Sequence, residues 1–160
     1  MKYISYSSAG HHNRDSGAIG VNGRREADET KIFRDMVNAE LRRMGKTVVQ
    51  DDDNDMLGQY LGKINPTDLD VVVEPHFNAF NGKATGTEVL IADSANARSK
   101  AMAKELVDGY ARIMGIPNRG VKTESQSARG RLGLMQMSIT PNIGRKSIFS
   151  HPISNISTFG

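Results

Sequence analysis

Polar and apolar positions alternate through "KYISYS", Lys2 to Ser7, a period of two that predicts a half-buried first strand. The period then lengthens. In "READETKIFRDMVNAELRRMG", Arg25 to Gly45, the residues Phe33, Val37, Leu41 and Met44 recur at helical spacing with Ile32 and Met36 beside them. Gly45 closes this element as a helix C-terminus. "KTVVQ" reads as a second strand, and "DNDMLGQYLGKI" as a short helix whose acidic start suits the positive end of its dipole. In "DLDVVVEPHFNA" the valines Val71, Val72 and Val73 run into Glu74 and Pro75, the pattern of a buried strand that ends near a site. "GTEVLIA" predicts a strand after a glycine turn, and "SANARSKAMAKELVDGYARIMG" a second long helix with Met102, Leu106, Tyr110 and Ile113 on one face. Strand and helix patterns alternate with no linker, repeat or low-complexity tract. This predicts a single α/β domain over residues 1–160, a mostly parallel or mixed central sheet flanked by helices.

Composition narrows the chemistry. With 160 residues, 38% hydrophobic and 24% charged, the chain is long enough to bury a core and reads as globular. It has no cysteine, which excludes disulfides, a thiolate nucleophile and Cys-type zinc sites. Any metal must be held by carboxylates and by the histidines His11, His12, His76 and His151. The formal charge of +3 would favour anionic partners, but the basic residues are dispersed and no aromatics are interleaved with them, so no nucleic-acid role is expected. No apolar run has the length of a membrane span or a signal peptide, so the chain is expected to be cytoplasmic when synthesised. No obligate protein partner is evident.

Three polar residues converge on this scaffold. His11 follows the first strand and His76 follows the "DVVV" run, so a sheet with those strands close together brings both imidazoles to one edge, where open α/β sheets favour ligands. Glu26 lies seven residues before Phe33, about two helical turns, and so points along the buried stripe, where a carboxylate needs a partner. Two neutral imidazoles and one carboxylate form a recurrent catalytic zinc set, since three protein ligands leave the fourth position open. The acidic run "DDDND", Asp51 to Asp55, lacks the spaced ligands and final Glu of a calcium loop and reads as a solvated helix start.

The segments "AGHHNRDSGAIG", "EADETKIFRDMVNAELRRMGKTVV" and "VVVEPHFNAFNGKATGTEVLI", in that order, resemble the zinc-dependent N-acetylmuramoyl-L-alanine amidases of the amidase-3 family. The match runs over about residues 2 to 115, and "NRGVK" from Asn118 fits the family's Arg-Gly-x-Lys segment. The resemblance implies that His11, which directly follows Gly10, is a zinc ligand, and that His12 is a turn residue or outer neighbour. It implies Glu26 and His76 as the other ligands, with Glu29, one turn later, the competing choice for the helix-start ligand and otherwise a helix-face carboxylate, and Asp15 a loop-shaping residue. Asn78 is expected to orient the loop or contact substrate; Glu88 is a further substrate-binding candidate against a role in pairing within its strand. The implied reaction is hydrolysis of the amide between muramic acid and L-alanine of the peptidoglycan stem peptide, as in phage endolysins that act on the wall after release.

The C-terminal segment, about 138–160, departs from this pattern. The family has a strand there carrying a glutamate that serves as acid/base. Here Lys146 falls five residues after Pro141, where the glutamate is expected, and no Asp or Glu follows Glu124. Glu124 and His151 are the candidate substitutes. The alternative function is a zinc-binding module that recognises peptidoglycan without cleaving it.

Overall fold

The computed structural model describes residues 4–7, 9–20, 23–63, 71–78, 85–127, 132 and 146–152, with 4–7, 71, 78 and 146–152 described by their backbone. In chain order the elements are β1 (Ile4–Ser7), α1 (Glu26–Arg43), β2 (Thr47–Gln50), α2 (Leu57–Lys63), β3 (Val71–Asn78), β4 (Thr87–Ile91), α3 (Ala97–Met114), β5 (Asn118–Thr123), a 3-10 turn (Glu124–Gln126) and β6 (Lys146–Pro152). The strands form one sheet in the order β2-β1-β3-β6-β4-β5. β1, β2, β3 and β6 run parallel, while β4 is antiparallel to β6 and parallel to β5. This is the single α/β domain with a mixed sheet that the pattern predicts. Among the described residues, no helix is long and apolar enough to cross a membrane.

β1 and β3 are adjacent and parallel, so their carboxyl ends share one edge. The strand expected to end near Pro75 continues to Asn78, and His76 is therefore inside β3 rather than beyond it. Gly10 follows the other strand and ties the two together, its amide donating to the Pro75 carbonyl at 3.0 Å.

Both long helices are turned relative to their apolar patterns. In α1 the buried residues are Glu26, Ala27, Glu29, Thr30, Arg34 and Asn38, whereas Ile32, Met36 and Met44 are exposed and Val37 is 37% exposed. The buried polar stripe is tolerated because it is hydrogen-bonded. Thr30 Oγ1 donates to the Gly10 carbonyl at 2.6 Å, Asn38 Nδ2 donates to Gln50 Oε1 at 3.0 Å, and Arg34 pairs with Asp51 at 2.6 Å and with Asp53. In α3 the buried residues are Ser99, Ala103, Val107 and Ala111, one position along from the expected face, and Ile113 is exposed. Small side chains at these positions let the helix lie close to β4, where Ala103 and Val107 pack on Val89 and Ile91. Phe33 and Phe77 pack edge to face at 6.2 Å and join α1 to β3.

The acidic run is not a solvated helix start. Asp51 and Asp53 clamp the buried Arg34 guanidinium, and the same loop holds the histidine loop. Asp51 Oδ2 accepts from the Ala9 amide at 3.2 Å, the Asp53 carbonyl from the Asn13 amide at 2.8 Å, and the Asn54 carbonyl from Arg14 Nη2 at 2.8 Å. α2 begins only at Leu57.

Candidate metal centre

Glu26 is the first residue of α1 and is 1% exposed. Two backbone amides fix its carboxylate: Phe77 N donates to Oε1 and Ala18 N to Oε2, each at 2.9 Å. Both oxygens also face an imidazole. His76 Nδ1 lies 3.0 Å from Oε1, and His11 Nε2 lies 3.1 Å from Oε2. The two rings stand edge to face with centroids 5.2 Å apart. One donor atom from each of His11, Glu26 and His76 lies within 4.8 Å of the others, and among the described residues this is the group that could hold a metal ion.

Local backbone geometry leaves room for this convergence. His11 adopts a left-handed conformation, φ 71°, which turns the chain sharply after Gly10. A Cβ at Gly10 would meet His76 Nδ1 at 2.6 Å, and one at Gly17 would meet the His11 ring at 2.5 Å and Glu26 Oε2 at 2.7 Å. Gly17 also has φ 60°, so glycine is required there twice over.

Electrostatics reflect the packing. Burial alone would raise the Glu26 pKa, but the close approach of the His11 and His76 imidazoles and the hydrogen bond from the Ala18 amide outweigh it and hold the carboxyl well below the usual range. Burial likewise pulls His76 down, and its hydrogen bonds to Glu26 and Glu74 override this and raise it to about 9. His11 is raised, chiefly by the Glu26 carboxylate, against a lowering by burial and with further help from Asp15.

The donor set fits a zinc ion. His11 Nε2 is buried and makes no hydrogen bond of acceptable direction, although Glu26 Oε2 is only 3.1 Å away. The two imidazoles approach different oxygens of the Glu26 carboxylate, at 3.0 and 3.1 Å, and two imidazole nitrogens with one carboxylate oxygen are a donor set of the kind that binds zinc. A pocket of about 180 Å³ is lined by His11 and His76 of this group together with Asp15, Glu74, Asp52 and Tyr60 among others; Glu26 lies behind the rings and does not line it.

The other expected residues fall in different places. His12 Nδ1 accepts from the Arg14 amide at 3.2 Å within the turn, and Glu29 forms a two-point pair with Arg24, both contacts 2.5 Å. Asp15 accepts from His11 Nδ1 at 2.9 Å and from the Gly17 amide at 3.1 Å. Asn78 ends β3 opposite Pro152, and its side chain lies outside the described residues. Glu88 is level with His76 through Ser150, but two strands away, about 10 Å, and its carboxylate is paired with Lys122 at 2.7 Å and Arg119 at 3.3 Å.

Glu124 must be withdrawn as a substitute acid/base. Thr123 pairs with Ile91, Ile91 with Ser147 and Ser147 with Val73, so Glu124 lies near the opposite edge of the sheet and three strands from β3. At strand spacings of about 4.8 Å and rises of about 3.3 Å this is roughly 20 Å from His76. Its Oε2 instead accepts from the Leu132 amide at 3.3 Å. Lys146 is likewise not beside the metal group: it opens β6 opposite Val72, while Ser150 is the residue paired with His76 and His151 the one paired with Phe77. Residues 138–145 and 153–160 lie outside the described residues.

The sequence profile of the N-acetylmuramoyl-L-alanine amidases matches residues 8–148. The chain belongs to this amidase family. It is similar to the putative N-acetylmuramoyl-L-alanine amidase from Neisseria meningitidis, with 30% identity, a TM-score of 0.76, and coverage of 96% of this chain and 82% of that one. The catalytic domain of the amidase CwlV from Bacillus (Paenibacillus) polymyxa var. colistinus gives 25% identity and a TM-score of 0.78, over 97% and 83% of the two chains. The catalytic domain of an endolysin targeting Clostridia difficile shares the fold at 19% identity, TM-score 0.67, over 93% and 79%. No curated protein matches the chain. The amidase family places the chain among enzymes acting on peptidoglycan. Within this amidase, the residue that the sequence reading passed over is Glu74, whose Oε1 lies 2.9 Å from His76 Nε2. Its signal was legible: it stands two residues before His76, on the same face of β3.

Proposed function

We propose that this amidase is zinc-dependent, that His11, Glu26 and His76 hold the ion, and that it cleaves the amide between N-acetylmuramic acid and L-alanine of the stem peptide. The observation that carries this reading is the convergence of the three donors beside a pocket. When bound, zinc supplies Lewis acidity at the scissile carbonyl and towards the attacking water. The chain's own residues prepare that chemistry. Glu26 is immobilised by two amides, Gly10 and Gly17 keep the donors free of intervening side chains, and the Asp51 to Asn54 loop holds the His11 turn in place. His151 is paired with Phe77, a register position of opposite parity to that of His76, and we assign it no role in proton transfer. A lytic role of endolysin type, reached after release from the cell of synthesis, is supported by the shared fold of an endolysin catalytic domain.

The test joins metal content to product. Purified protein is expected to carry one zinc per chain and to release new L-alanine amino termini from muropeptides. His76→Ala should lose both. Full zinc occupancy in that variant would refute the ligand set, while zinc without amine release in the natural chain would favour a peptidoglycan-binding module.

A further inference from the structure

The two histidines face Glu26 through different nitrogens, and each meets a second carboxylate on its other nitrogen. His11 presents Nε2 to Glu26 and has Asp15 at Nδ1; His76 presents Nδ1 to Glu26 and has Glu74 at Nε2. We propose that Glu74 is a positioning residue that holds His76 in the Nε2-protonated tautomer, so that Nδ1 is the atom offered to the metal. This rests on the zinc reading above and assigns a role that the amidase reading leaves open.

In a neutral imidazole one nitrogen carries the proton and the other the lone pair, and the partner of the first decides which is which. A carboxylate accepts only, so Glu74 Oε1, 2.9 Å from Nε2, requires the proton at Nε2. Glu26 and Glu74 lie on opposite sides of the His76 ring, and Glu26 belongs to the converging donor group that Glu74 lies outside. The fold makes this arrangement from one strand. Glu74 and His76 are two positions apart in β3 and share a face, both 8% exposed, so the carboxylate reaches along the strand to the ring's outer nitrogen. Such outer partners fix ring orientation and raise ligand basicity. Charge points the same way. With both imidazoles neutral, as metal ligands must be, Asp15, Glu26 and Glu74 around them are a strongly anionic set, which a dication offsets.

The test uses the whole zinc-loaded chain. Long-range nitrogen–proton NMR of the imidazoles should show His76 protonated at Nε2 with Nδ1 metal-bound, and His11 with the reverse assignment. Glu74→Ala should weaken zinc about 10- to 100-fold in competition with a chelator. Glu74→Gln, which keeps an accepting oxygen without the charge, should preserve the tautomer and lose less affinity. The spectrum of the natural chain decides the matter even where a variant fails to fold, and a merely structural role for Glu74 would not set the tautomer. A natural chain whose zinc sits on His76 Nε2 overturns this inference alone. Unchanged zinc affinity in a folded Glu74→Ala also overturns it. A chain that binds no zinc overturns it together with the function proposed above.

Discussion

At the residue scale, adjacent histidines that look alike in the sequence are separated by a single backbone angle. His11, at φ 71°, turns its ring towards Glu26, whereas His12 spends its Nδ1 on the Arg14 amide in the same turn. His12→Ala is therefore expected to keep its zinc and His11→Ala to lose it, as elemental analysis after gel filtration would show. The reverse result would move the ligand to His12. Nothing in the local composition distinguishes the two histidines, and only the approach of β3 and the α1 N-terminus creates the difference.

At the element scale, the helix that delivers Glu26 is anchored by charge rather than by its apolar stripe. Arg34, 2% exposed, is held by Asp51 and Asp53 from the loop that also fastens the His11 turn. Removing the guanidinium leaves a buried carboxylate without its main cation. Arg34→Ala should cost about 3–5 kcal/mol in chemical denaturation, and it should loosen zinc binding, because the loop links both features. A loss below about 0.5 kcal/mol, the size expected of ordinary surface substitutions, would show that the clamp contributes little. The apolar periodicity pointed to a different face of α1 because it weighs side chains by polarity alone. It assigns no value to a buried polar residue whose partner sits in a distant loop.

At the scale of the whole molecule, the register of β6 decides where a missing carboxylate would have to stand. Ser150, not Lys146, is paired with His76, and Lys146 is four residues upstream, about 13 Å along the strand. If the absent glutamate limits the rate, Ser150→Glu should raise amine release, by up to the 10²- to 10⁴-fold typical of general acid/base catalysis. Lys146→Glu and Glu124→Gln should leave the rate of the natural chain unchanged. Rescue by Lys146→Glu without rescue by Ser150→Glu would mean that β6 is paired in another register.

The sequence by itself determined the alternation of strands and helices, the identity of the family, and the residues His11, Glu26 and His76 as the set to watch. These are properties of local periodicity and of short motifs whose spacing survives in one dimension. Tertiary structure alone decided which helix faces are buried, that Asp51 and Asp53 hold Arg34, and that β4 and β5 run against the other strands. That reversal carries Glu124 to the opposite edge and brings Glu88 level with His76 but into an ion pair with Lys122 and Arg119. Strand direction and register depend on contacts between residues far apart in the chain, and no local pattern encodes them.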